Sequence, residues 1–87
     1  MEASLVYSDT SVSSADGTVS VGHHTSSINF LNLDTTTNAV VKLNNQFSVL
    51  IPKAPSAGGW DYTEIYGDYT KFEVITANVS LAVFAVG

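Results

Sequence analysis

Few side chains in this 87-residue chain have the types and spacing that could do chemistry. His23 and His24 are adjacent, and on a strand they would point to opposite faces, so they do not chelate one ion in the usual way. A histidine beside a serine could suggest nucleophilic catalysis, but no G-x-S-x-G run places a serine on a nucleophile elbow. A surface or interface turn is the simpler reading of Gly22-His23-His24-Thr25-Ser26. Asp61, Glu64 and Asp68 lie close in sequence. Asp61 and Glu64 fall on opposite faces of an extended segment and form no paired general acid and base. A weak calcium site would draw on the same acids, but calcium-loop spacing is absent, so they read as solvated. Asp16 and Asp34 read as turn formers, and no glycine loop cradles a phosphate. The chain is therefore expected to be no enzyme, with no catalytic residue, cofactor or metal.

The aromatic set Trp60, Tyr62 and Tyr66 has the best claim to a binding role. With Glu64 these residues share one face of a strand read over 60–66. Aromatic faces anchor protein interfaces and stack on sugars, and they also fill cores. All three roles stay open at this point.

Size limits what can hold these groups in place. One domain at most is expected, and a monomer of this length buries only about 60–65% of its unfolded surface. Small domains are usually supported by disulfides, metals or oligomerisation. There is no cysteine, which removes disulfides and thiolate sites, so assembly with other subunits is the expected support. The formal charge is -5, the only basic residues are Lys42, Lys53 and Lys71, and there is no arginine. Nucleic acid is therefore not an expected partner. Charged residues are 13% of the chain, below the roughly 25% usual in soluble domains, and such a surface suits close subunit packing. No apolar run is long enough for a membrane helix, so no membrane partner is expected. Met1-Glu2-Ala3-Ser4 has no basic n-region, so it reads as an intact start and not as a signal peptide. Asn78-Val79-Ser80 fits the glycosylation pattern, but without a signal peptide it reads as turn and strand.

Period-two alternation and the abundance of valine and threonine predict strands throughout. Leu5–Tyr7 reads as a short strand or an arm, and 8–16 as loop or loose edge with a turn at Asp16-Gly17. Strands are predicted over Thr18–Val21, Ser27–Leu33 with a bulge at Asn32-Leu33, Ala39–Leu43 and Phe47–Ile51. Asn44-Asn45 supplies a tight turn between the last two, because asparagine tolerates positive φ. The segment 52–59 is the main loop. Strands then follow over Trp60–Tyr66 and Tyr69–Ile75, and a turn at Ala77-Asn78 leads into the terminal strand. That strand, 79–87, has only Ser80 as a polar side chain, so both of its faces want cover. Leu81, Val83 and Ala85 suit an inter-sheet core. Phe84, beside Ala82 and Ser80, marks the face expected to meet a neighbouring subunit. The fold class is all-β: an antiparallel sandwich or small barrel, jelly-roll or Greek-key like, with seven to eight short strands. Residues 1–16 are read as an N-terminal arm or edge strand and 17–87 as the sandwich.

The run 27–33, the hairpin 39–51 across Asn44-Asn45, and the close from Lys71 to Gly87 resemble small β-sandwich virion proteins of tailed bacteriophages. That resemblance covers roughly residues 18–87 and is one of pattern, so no functional residue is transferred. It implies a capsid decoration or cement protein, or a head or tail component, on the exterior of a virion assembled in the host cytoplasm. The implied partners are the major capsid or another virion protein and further copies of the chain, in a symmetric oligomer such as a trimer. Leu5, Tyr7, Trp60, Tyr62 and Phe84 are the expected interface residues. Deleting 1–8 is expected to weaken assembly without unfolding the sandwich. The alternative is a carbohydrate- or host-surface-binding module, with Trp60 and Tyr62 facing a glycan.

Overall fold

A computed structural model describes residues 4–56 and 62–87. Eight strands follow in chain order: β1 (Leu5–Val12), β2 (Thr18–Ser20), β3 (Ser27–Asn32), β4 (Ala39–Leu43), β5 (Phe47–Ile51), β6 (Tyr62–Tyr66), β7 (Lys71–Val74) and β8 (Leu81–Val86). They form two four-stranded antiparallel sheets, β1-β8-β3-β6 (sheet A) and β2-β7-β4-β5 (sheet B). β4 and β5 are the one consecutive pair joined within a sheet, and every other connection crosses between sheets. This strand order is that of an eight-stranded jelly roll.

The alternation read from sequence builds the core. Sheet A sends Val12, Ile28, Phe30, Leu81, Val83 and Ala85 inward, and sheet B sends Ala39, Val41, Leu43, Ile51, Phe72 and Val74 to meet them. Phe72 sits at the centre of this layer. Phe30 approaches it edge-on with ring centroids 5.6 Å apart, and Tyr7 does so at 5.8 Å. Such pairs add about 0.5–1.5 kcal/mol beyond the area they bury.

Turn chemistry places the strands. Asn44 and Asn45 take φ of 53° and 54°, and the Gln46 N–H donates to Leu43 O across them at 3.0 Å. The hairpin is thus closed by the two residues best able to bear that backbone. Asp34 Oδ1 accepts from the Thr36 N–H (2.8 Å) and the Thr37 N–H (3.2 Å) and shapes the β3–β4 connection. Asp16 Oδ2 accepts from the Ser13 N–H at 2.8 Å and closes a 3-10 turn, Ser14–Asp16, between β1 and β2. The irregularity expected at Asn32-Leu33 is a strand end. The buried Asn32 amide donates to Thr37 O and Ile51 O, and its Oδ1 accepts from the Asp34 N–H.

The first sixteen residues differ most from expectation. β1 runs the full length Leu5–Val12, pairs with β8 and delivers Val12 to the core. Of the two readings, arm or edge strand, 5–12 is an edge strand. Its polar residues Ser8, Asp9, Thr10 and Ser11 are exposed, which is why the pattern reads as loop. The Tyr7 hydroxyl is raised above its ordinary range, chiefly by burial and then by Asp9 and Asp16.

Deleting 1–8 is therefore expected to destabilise the isolated domain itself, correcting the sequence-based expectation. Loss of Tyr7 from Phe72 and of part of the β1–β8 ladder should cost on the order of 2–4 kcal/mol. At about 4–8 °C per kcal/mol for a domain of this size, the melting temperature should fall by roughly 10–30 °C. An unchanged melt would show that β1 contributes nothing to the fold.

Candidate functional site

In an antiparallel sheet, directly opposed residues share a face. The register of sheet A therefore lays out its outer surface as three rows. Tyr62, Leu31 and Ala82 form the first, Glu64, Asn29, Phe84 and Ser8 the second, and Tyr66, Ser27, Val86 and Leu5 the third. Glu64 is the one charged residue among them. The corresponding face of sheet B is charged and polar in two rows, Thr18, Glu73, Lys42 and Ser48 in one and Ser20 and Lys71 in the next, and carries a third, apolar row of Leu50, Val40 and Ile75, in which Leu50 is 56% and Ile75 47% exposed.

The outer face of sheet A is only partly closed by its own chain. The rings of Tyr62 and Phe84 meet edge to face at 5.0 Å and 80°. Because β6 and β8 flank β3, this pair crosses over β3 and shelters Leu31 and Asn29, which are buried. The Asn29 amide donates to Phe84 O at 3.5 Å, a long bond. Phe84 and Val86 remain half-buried, while Tyr62, Tyr66 and Leu5 are 55%, 75% and 62% exposed. The Tyr66 hydroxyl is raised above its usual range by hydrogen bonding to Glu64 and by that carboxylate's charge.

Of the expected interface residues, the fold brings Leu5, Tyr62 and Phe84 onto this one face. It sends Tyr7 the other way, against Phe72 in the core. Trp60 lies outside the described residues, as does Asp61. Tyr66, which the sequence placed beside Tyr62, shares the face and is its most exposed aromatic ring.

A second polar cluster was not legible in the sequence. At the end of the sandwich where the β2–β3, β4–β5 and β6–β7 connections meet, Asp68 gathers all three. Its Oδ2 lies 2.6 Å from His24 Nδ1 and its Oδ1 accepts from the Thr25 N–H at 3.1 Å. Its backbone oxygen accepts from the Asn44 amide at 3.1 Å. Thr25 Oγ1 donates to Gly67 O and accepts from the Tyr69 N–H. His24 and Asp68 have the orientation of a base and its orienting carboxylate. However, the His24 side chain is 84% exposed, and no hydroxyl among the described residues is hydrogen-bonded to it. His23, His24, Ser20 and Thr70 line a shallow depression beside this pair. Among the described residues no three His, Asp or Glu side chains gather to hold a metal ion, and no helix is long and apolar enough to cross a membrane. The geometry of the cluster is that of a loop tie.

No family model, curated protein or solved structure matches this chain.

The Asp68 carboxyl is held below its ordinary range, first by the Thr25 N–H and then by hydrogen bonding to His24. A lowered folded pKa means that the stabilisation is present above the unfolded carboxylate value and is lost as pH falls through the folded one. Asp68→Ala should therefore melt below the wild type at pH 6, and the two melts should converge toward pH 2. A gap that persists unchanged in acid would show that the carboxylate does not hold the loops.

Proposed function

We propose that this chain is a non-enzymatic structural subunit of a virus particle, held on the particle's exterior by the outer face of sheet A. The observation that carries the reading is the three-row surface on which Tyr62, Tyr66, Phe84, Val86 and Leu5 surround a single carboxylate. Interface centres are rich in aromatic residues and poor in charge, whereas the paired positions on the outer face of sheet B hold no aromatic ring and include Glu73, Lys42 and Lys71. The jelly-roll strand order supports the reading by analogy, since viral capsid domains use that architecture. The acidic, arginine-free composition supports a position away from nucleic acid.

Magnitudes fit a decoration role. Four strands and three side-chain rows span a patch on the order of 350 Å2, against roughly 800 Å2 per partner in a standard stable interface. Burying it would contribute at most about 9 kcal/mol at 25 cal/mol per Å2 of apolar area, since Ser8, Ser27, Asn29 and Glu64 take up part of it, and association costs of about 4–15 kcal/mol largely offset that. One contact is weak, and repetition around a particle makes many such contacts firm.

A second reading draws on Tyr62 and Tyr66 flanking Glu64. Exposed rings beside a hydrogen-bond acceptor can hold a sugar by stacking and by its hydroxyls, and lectin domains also use jelly rolls.

Tyr66→Asp separates the two, since so exposed a ring can be changed without touching the core. Labelling the chain in its native assembly and imaging it should place the wild type on the particle surface and find Tyr66→Asp unbound, with its melt preserved. A wild-type chain free of any particle would overturn the first reading. Glycan binding lost in Tyr66→Ala would establish the second.

A further inference from the structure

Each sheet of an open sandwich has two edges whose unpaired N–H and C=O groups invite another strand, and natural proteins guard them. Three of the four edges here are guarded. β1 carries Asp9 and two register shifts, β2 is three residues long, and β6 has Glu64 at its middle. β5 has none of these devices. Phe47–Ile51 contains no charge and no proline, and it pairs with β4 in unbroken register. Its Phe47 is 44% and its Leu50 56% exposed.

The hydrogen-bond phase of sheet B shows which groups are free. The Ile75 N–H donates to Val40 O and the Asn44 N–H to Lys71 O, so residues 40, 42 and 44 turn their backbone groups toward β7. By alternation, Val41 and Leu43 face β5, and their partners Val49 and Phe47 face back. Ser48 and Leu50 are left with N–H and C=O pointing away from the sheet.

We propose that β5 is a strand-pairing edge for a second copy of this chain, joined antiparallel about a two-fold axis at Val49. In that register Ser48 of one copy opposes Leu50 of the other, so all of these outward N–H and C=O groups are matched. Val49 meets Val49, and Phe47 meets Ile51. Lys53 lies opposite Asn45, and Pro52 opposite Gln46, so no like charges face each other. No other register centred on this strand uses every outward group, because a shift toward the C-terminus brings Pro52, which has no N–H, opposite Ser48, and a shift toward the N-terminus sets Leu50 opposite Gln46, whose N–H is already donated to Leu43 O. β5 itself carries no charge, so pairing two copies along it sets no charged side chain of the strand against its like. The inference rests on the edge geometry and not on the virion reading, and Tyr66→Asp, which tests that reading, leaves β5 untouched.

Sedimentation of the full chain tests it, together with single-cysteine crosslinking, which is clean because the chain has no cysteine. The wild type should dimerise with rising concentration. Leu50→Pro, which removes an outward donor, and Leu50→Lys, which adds a charge to the edge, should each weaken the dimer by about tenfold or more. Both should keep a wild-type circular dichroism spectrum. Should Leu50→Pro misfold, Leu50→Lys and the crosslink still decide. Val49→Cys should form a disulfide dimer on oxidation, since directly opposed Cβ atoms in such a pair lie about 4.5–5.5 Å apart. Ser48→Cys, opposite Leu50, should not. A wild type that stays monomeric at millimolar concentration, a dimer indifferent to Leu50→Lys, or equal crosslinking of the two cysteine variants would each overturn the proposal.

Discussion

β8 is apolar on both faces and β3 is buried along its whole length, and a chain of 87 residues folds into two sheets with one shared core between them. The molecule can therefore seal only one side of its two central sheet A strands fully. The inner side is sealed by the layer around Phe72. The outer side is closed in part, by laying Tyr62 of β6 against Phe84 of β8 over Leu31 and Asn29. Placement of the terminal strand at the middle of the sheet follows from the same constraint. At the middle, β8 is paired along both of its edges and its apolar side chains are all buried or half-buried.

Much of this could be read in advance because the signals were local. Asn44-Asn45 adopts the positive φ its side chains tolerate, and the alternation of 81–86 divides into a buried set and a half-buried set as its residues suggested. Tyr62, Glu64 and Tyr66 share a face by simple parity. What could not be read depends on partners distant in sequence. β1 looks like loop because its polar residues hide a ladder whose other half lies 69 to 81 residues away, at Leu81–Val86. By parity alone Tyr7 shares a face with the exposed Leu5, and nothing nearby reveals the bulge between them that turns Tyr7 toward Phe72. The His24–Asp68 pair joins residues 44 apart. Only strand order brings such groups together, and strand order leaves no trace in a local pattern.

The loop tie at Asp68 has a structural consequence for sheet A. Thr25 and Ser26 immediately precede β3, and Gly67 immediately follows β6. Bonds from Asp68 to Thr25 and from the Gly67 N–H to Ser26 O fix the two strands at the end where Ser27 opposes Tyr66. Tyr66 is thus exposed on a backbone clamped at its base. A ring held in this way loses little freedom on binding, which favours its use in a contact.

The two surfaces singled out above also constrain one another. Antiparallel pairing through β5 within the plane of sheet B requires a two-fold axis perpendicular to that sheet, and such an axis keeps corresponding faces on the same side. Both outer faces of sheet A would then point in one direction, away from the joined sheet B. A single face of this size is marginal against the entropy of association. Two faces fixed side by side engage one support with the second contact already intramolecular, so weak patches add into a firm attachment without becoming individually adhesive. On the proposed attachment, closure of the half-open apolar face would be completed in assembly, with each subunit supplying only part of the area a stable interface needs.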